Sequence, residues 1–162
     1  MSSIEPCADI ANALTDAGVP AENRLFVTLD PRTRQHQLPG GETVLITDTV
    51  GFISKLPHEL VRAFQSTLDS VRFADLLVHV VDGSSDQAEE QIDAVREVLA
   101  QIGASEVPEL LVFNKADVNP AWTKELVERH EGSLPLSALT GEGVEELVAT
   151  IGDRLRSGDR IV

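Results

Sequence analysis

The sequence predicts an α/β domain built on a mostly parallel sheet, and three observations predict it. Between residues 40 and 157, short apolar runs alternate with helix-period segments, the pattern of βαβ units. The first three of these runs end in Asp or in Asn-Lys-x-Asp, which places polar side chains at the carboxyl edge of the sheet, where open α/β folds bind ligands. The chain has 162 residues, 42% of them hydrophobic and 25% charged, which matches the size and composition of one globular domain. The expected domain covers residues 1–157, incomplete at its amino end, with 158–162 as a tail.

The elements follow in order. Residues 7–17, "CADIANALTDA", can form a short helix with Ile10 and Leu14 on one side and Gly18 closing it, but no strand precedes it. "TRQHQLPGGETVLIT" reads as a hairpin through Pro39-Gly40-Gly41, pairing an edge strand at about 33–38 with a strand at 42–48. After Pro57, the spacing of Leu60, Val61, Phe64, Leu68 and Val71 predicts a helix with one apolar stripe. "DLLVHVVD" (75–82) is the next strand. Ile92, Val95, Leu99 and Ile102 mark a helix with Glu89 and Glu90 in its first turn, where the helix dipole favours anions, and Gly103 at its end. "ELLVFNKAD" (109–117) is a strand running into a polar turn. "PAWTKELVERH" is a helix, "SLPLSA" (133–138) a short strand, and "EGVEELVATIGDRLR" a final helix.

Composition excludes several classes of function. Cys7 is the only cysteine, so the chain can form no internal disulfide and no cysteine-based zinc site. His36, His58, His79 and His130 lack the i, i+4 spacing that sets two ligands on one helix face. A formal charge of −14 argues against DNA binding through a broad basic surface, which needs clustered Lys and Arg. No apolar run approaches the roughly 20 residues that cross a bilayer. "MSSIEPCADI" does not read as a secretory signal, so a cytoplasmic location is expected.

Four short motifs carry the chemistry. Asn114-Lys115-x-Asp117 closes an apolar strand. The Asp117 carboxylate can accept two donors from a guanine base, Asn114 can steady the loop, and the Lys115 stem can cover the base. About twenty residues later come Ser137-Ala138-Leu139, whose backbone N–H groups can meet the base carbonyl oxygen, and Thr140, which can cap the helix. Upstream, Asp48-Thr49-Val50-Gly51 combines a carboxylate able to hold a magnesium-bound water with a glycine N–H that can approach a γ-phosphate. Thr28 offers a loop hydroxyl suited to completing magnesium coordination. Each motif alone also fits an ordinary turn. Their order along one α/β pattern is what points to a nucleotide site.

The runs "ENRLFVTLDPRTR", "ITDTVGFISKLPHELVRAFQSTLDSVRFADLLVHVVDGS", "FNKAD" and "SALTGEG" resemble the G domain of the HflX-type, translation-factor-related GTPases over about residues 11–155. The resemblance implies a Ras-like three-layer sandwich, GTP or GDP with Mg2+ as ligands, GTP hydrolysis, and action on the large ribosomal subunit. It also implies roles: Thr28 as the switch I threonine, Asp48 and Gly51 as the switch II pair, Asn114, Lys115 and Asp117 as base readers, and Ser137 to Leu139 as the last nucleotide box. Thr28 and Asp48 would be the magnesium-side residues. Phe52 stands where many GTPases have a water-orienting glutamine, so no catalytic side chain is assigned.

The chain departs from that family at its start. Family members open the G domain with an apolar strand and a phosphate loop of the form Gly-x-x-x-x-Gly-Lys-Ser, whose N–H groups cradle phosphates. Here "SSIEPCADIANALTDAGV" stands in that place, and residues 1–10 contain neither Gly nor Lys. The missing strand would lie between the strands at 42–47 and 76–81, which should then pair directly in parallel or leave two apolar edges. Nucleotide should bind weakly and phosphoryl transfer should be largely lost, because that chemistry is mainly positioning and electrostatics. Two readings stay open: a truncated GTPase, or a degenerate G-domain module that no longer hydrolyses GTP and serves as a protein or ribosome interaction surface. An unrelated flavodoxin-like domain would leave the ordered motifs unexplained.

Overall fold

The computed structural model describes residues 32–48 and 71–157. Among them, five strands and three helices follow the order β1 (Arg32–Gln37), β2 (Thr43–Asp48), β3 (Leu77–Asp82), α1 (Ala88–Gln101), β4 (Glu109–Asn114), α2 (Pro120–Arg129), β5 (Leu134–Pro135) and α3 (Val144–Ser157). The expected helices at 7–17 and after Pro57 fall outside these residues, apart from the helical end of the second at residues 71 and 72.

Strands β3, β4 and β5 form a parallel sheet, with Leu77 opposite Glu109 through Asp82 opposite Asn114. The pleat sends alternate side chains of β4 to opposite faces. Leu110 and Val112 join Leu136, Leu147 and Ile151 under α3, while Leu111 and Phe113 join Val81, Ile92 and Leu126 under α1 and α2. Because both faces are covered, β4 reads as a continuous apolar run, and helices, sheet and helix form three layers. Val71, Leu99, Ile102 and Ala104 close the core at the end of α1.

The helix ends follow from their sequences. Asn119 caps α2, its side chain accepting from Trp122 N–H at 3.3 Å, with Pro120 in the first turn where it costs no hydrogen bond. Helix α1 stops at Gly103, whose φ of +77° lets Ala104 N–H return to the Leu99 carbonyl at 2.8 Å.

Strands β1 and β2 form a separate antiparallel hairpin, as the Pro-Gly-Gly turn implies, in the register Arg32 to Asp48 through Gln37 to Thr43. It sits against α3: Ile46 packs on the Leu110–Val112–Leu147 cluster, buried Leu38 lies beside Gly152, and Arg156 Nη1 bonds Glu42 Oε1 at 2.9 Å. Of the two arrangements expected for β2 and β3, direct parallel pairing does not occur. Among the described residues the two strands belong to different sheets and each keeps one edge without a strand partner. Ile46, Val78 and Val80 nevertheless reach the same apolar cluster, so the two strands meet through side chains.

Strands β4 and β5 end earlier than the sequence implies. Strand β4 ends at Asn114 because Lys115 adopts φ +63°, which breaks the extended chain. Strand β5 is only Leu134–Pro135, because the Leu136 carbonyl turns to accept from Ala116 N–H at 3.0 Å beyond the end of the regular ladder.

At the amino edge, Glu109 is three-quarters or more enclosed and bonds Arg96 through Oε1 at 2.8 and 3.2 Å. His79 Nδ1 lies 3.5 Å from Glu109 Oε2, close enough for charge attraction but not directed as a hydrogen bond. Burial, the largest single influence, raises the Glu109 carboxyl; His79 and Arg96 together outweigh it and hold it down to about 2. A depressed carboxyl stabilises the fold fully above its unfolded value, 4.5, and that contribution is lost as pH falls from there towards 2. Glu109→Gln should therefore flatten the stability profile between about pH 4.5 and 2, by no more than about 3 kcal/mol, in urea titrations across that range.

Candidate functional site

Six of the eight expected nucleotide-binding residues meet at the carboxyl edge of the parallel sheet. Asn114 is the last residue of β4 and is buried, at 3% exposure. Its side-chain Oδ1 accepts from Ala138 N–H at 3.1 Å, and its carbonyl accepts from Gly83 N–H at 2.8 Å. Asn114 therefore ties its own loop to the loops that follow β5 and β3.

Ser137 is fully buried and supplies the second tie. Its hydroxyl donates to Asp117 Oδ1 at 2.8 Å and accepts from Thr140 N–H at 3.2 Å. One oxygen of Asp117 is thus oriented, and the side chain itself is exposed. A carboxylate held in this way keeps its second oxygen, and the remaining lone pair of the first, for two neighbouring donors on a planar ring.

The loop after β5 is closed by its own backbone. Ser137 N–H donates to the Glu142 carbonyl at 2.9 Å and Gly141 N–H to the Ser137 carbonyl at 2.8 Å. Gly143 has φ +83°, and a Cβ there would lie 2.5 Å from the Pro135 carbonyl oxygen, so only glycine fits. The N–H groups of Ser137, Ala138 and Thr140 are engaged inside the protein, and Leu139 between them is 87% exposed.

Lys115 points back toward β3, with Nζ 3.5 Å from Asp82 Oδ2. Asp82, which motif reading passed over, thus borders the motif residues. Its signal was its place at the end of the apolar run before the β3–α1 loop, directly opposite Asn114. Of the residues expected on the phosphate side, Asp48 closes β2 opposite Arg32, while Gly51 and Thr28 lie outside the described residues. Among the described residues no three His, Cys, Asp or Glu side chains cluster as a metal cage.

A cavity of about 240 Å³ opens at the opposite, amino edge, lined by Arg96, Glu109, Arg129, His130 and Arg154 among others. Its charges largely answer each other, Arg96 with Glu109, and Arg129 and His130 with Glu89, and it contains none of the motif residues. Among the described residues no helix is long and apolar enough to cross a membrane.

Comparison with known proteins identifies the family and the fold. The profile of a family described as "50S ribosome-binding GTPase" matches residues 9–115. GTPase HflX of Lacrimispora saccharolytica is 45% identical over 150 residues, 91% of this chain and 35% of the relative. GTPase HflX of Caldanaerobacter subterraneus subsp. tengcongensis is 52% identical over 109 residues, 67% of this chain and 26% of the relative. The chain thus spans about a third of the length of the curated relatives it matches. A crystal structure of a protein named SsGBP in complex with GDP superposes with a TM-score of 0.71 at 24% identity, over 92% of this chain and 46% of the other, and shows the shared Ras-like G-domain fold. The chain belongs to the 50S ribosome-binding GTPase family and, within it, is an HflX-type G domain.

Proposed function

We propose that this chain binds guanine nucleotide, weakly, through the carboxyl edge of its parallel sheet. Asp117 accepts from the base N1 and N2 donors, the Lys115 stem covers one face of the base, Asn114 holds the two loops together, and the Ser137–Leu139 loop offers a backbone donor to the base carbonyl. The observation that carries this reading is the pair of hydrogen bonds, Ser137 to Asp117 and Ala138 to Asn114, that joins two motifs twenty residues apart into one edge. Asp48 and Gly51 stand on the phosphate side. Asp48 and Thr28 are the residues that would hold a magnesium ion, which would offset phosphate charge there.

Residues 1–157 form one G domain in this reading and 158–162 a tail, in a cytoplasmic protein whose partner is the large ribosomal subunit. The named activity of the relatives, "GTPase", supports guanine nucleotide as the ligand, as does the GDP of the SsGBP complex. Hydrolysis is not proposed for the chain as it stands, because none of its 11 glycines precedes a lysine, so no Gly-x-x-x-x-Gly-Lys cradle exists. The alternative role is a non-hydrolysing module that meets a ribosomal or protein partner. Co-sedimentation with large subunits alongside a GTP turnover assay separates the two.

The base assignment has its own test. GDP should bind with a dissociation constant of roughly millimolar, about −4 kcal/mol. Asp117→Asn, which replaces two acceptors by one acceptor and one donor, should weaken GDP by about 10- to 100-fold and favour xanthosine diphosphate, whose C2 carries a carbonyl. Equal affinity of Asp117→Asn and wild type for GDP in NMR titration would remove Asp117 from the site.

A further inference from the structure

Asp82 closes β3 directly opposite Asn114. Its carboxylate is oriented before any ligand arrives: Oδ1 accepts from Ser84 N–H at 3.0 Å and from Ser84 Oγ–H at 2.6 Å. Oδ2 is thereby turned toward Lys115 Nζ, 3.5 Å away, with both side chains only about a fifth exposed, at 23% and 21%. The loop that carries Asp82 is itself fixed. Gly83 N–H donates to the Asn114 carbonyl, Thr123 Oγ1 donates to the Gly83 carbonyl at 3.0 Å, and Trp122 Nε1 donates to the Ser85 carbonyl at 2.7 Å. A Cβ on Gly83 would come within 2.9 Å of the Asn114 carbonyl oxygen, so the two loops touch backbone to backbone.

Lys115 is held at both ends of its length. Its backbone is the one non-glycine residue with positive φ among the described residues, and its carbonyl accepts from Val118 N–H at 3.0 Å. Its ammonium is tethered by Asp82. A lysine stem has many rotamers, and losing them on binding opposes binding; a stem already tethered has less to lose.

We propose that Asp82 is a positioning residue that sets the Lys115 stem in place for covering the base. This rests on the guanine-reading edge proposed above. Covering a ring face does not distinguish one purine from another, whereas the Asp117 contact to the 2-amino group does. Asp82 therefore acts on affinity for purine nucleotides in general and leaves the choice of base to Asp117.

The test has one arm without nucleotide and one with it, in the full chain. By 13C relaxation, the Lys115 Cε methylene should be ordered in wild type and, in Asp82→Asn, as mobile as that of Lys124, whose side chain is 79% exposed. Asparagine keeps an acceptor for Ser84, removes the charge and puts an amide donor in place of the oxygen that faces Lys115. If that variant does not fold, Lys115→Met, which keeps a stem and drops the charge, should show the same gain in mobility at its terminal methyl. Unchanged order in the variant that folds overturns the tether.

In the second arm, Asp82→Asn should weaken GDP and inosine diphosphate by the same two- to fivefold, and should have no further effect in a Lys115→Ala background. A changed GDP to inosine diphosphate ratio, or an additive effect in that background, also overturns the proposal. If wild type binds neither nucleotide, the guanine reading fails, and the tether still stands or falls on relaxation.

Discussion

Phe113→Ala is expected to destabilise the chain by about 3–5 kcal/mol, enough to unfold much of it at 25 °C if its stability is that of an ordinary domain of this size. Phe113 is fully buried in β4 and sits at the centre of the cluster made by Val81, Ile92, Leu111 and Leu126. Its ring centroid lies 5.7 Å from that of His130, and its Cβ borders Gly83, so truncation opens a space that α1, α2 and the β3–α1 loop all face. Such a space can close only if two helices move toward the sheet together, and close packing resists that. The substitution is also two residues from Lys115, so the base-reading loop should loosen with the core. Urea denaturation followed by Trp122 fluorescence reports both, because Trp122 packs on the same cluster and is the only tryptophan in the chain. A loss below about 1 kcal/mol would mean the two helices collapse onto the sheet with little cost.

Gly143→Ala is the second substitution with a large expected effect, about 2–4 kcal/mol, by a different cause. Gly143 has φ +83°, a region in which an L side chain is strained. The added methyl carbon would also lie 2.5 Å from the Pro135 carbonyl oxygen and 3.3 Å from Leu136 Cα, both of them backbone atoms that no rotamer change can move aside. Relief requires shifting either β5 or the start of α3, where Leu147 N–H bonds the Gly143 carbonyl at 2.9 Å. Either shift pulls on the Ser137–Glu142 turn and so on the Ser137 hydroxyl that orients Asp117. The variant should lose stability and base affinity together. Gly141→Ala is its control: the φ is the same, +83°, but nothing lies within 4 Å, so only the backbone strain of about 1 kcal/mol should appear in thermal unfolding. Equal losses in the two variants would show that close approach to β5 contributes nothing.

The motif that reads most plainly in the sequence, Asn-Lys-x-Asp, acquires its meaning only with its neighbours. Alternating apolar runs were enough to place β3, α1, α2 and α3 to within about two residues, since burial on both faces and the 3.6-residue period leave a mark on composition. The hairpin was legible for the same reason, through Pro39-Gly40-Gly41. The limits of β4 and β5 were not, because Lys115 enters the left-handed region, and nothing in its side chain announces that. Asp82 was legible as a strand end and silent as a contact. Its pairing with Lys115 joins residues 33 apart along the chain through a strand register, and local pattern contains no register.

Residue type and spacing alone determined the α/β class, the family and the order of the motifs. Tertiary structure alone decided which N–H groups of the last loop are engaged, which oxygen of Asp117 is held by Ser137, that β2 and β3 do not pair, and that Lys115 is tethered to Asp82. Those outcomes depend on distances between segments brought together by packing both faces of one sheet.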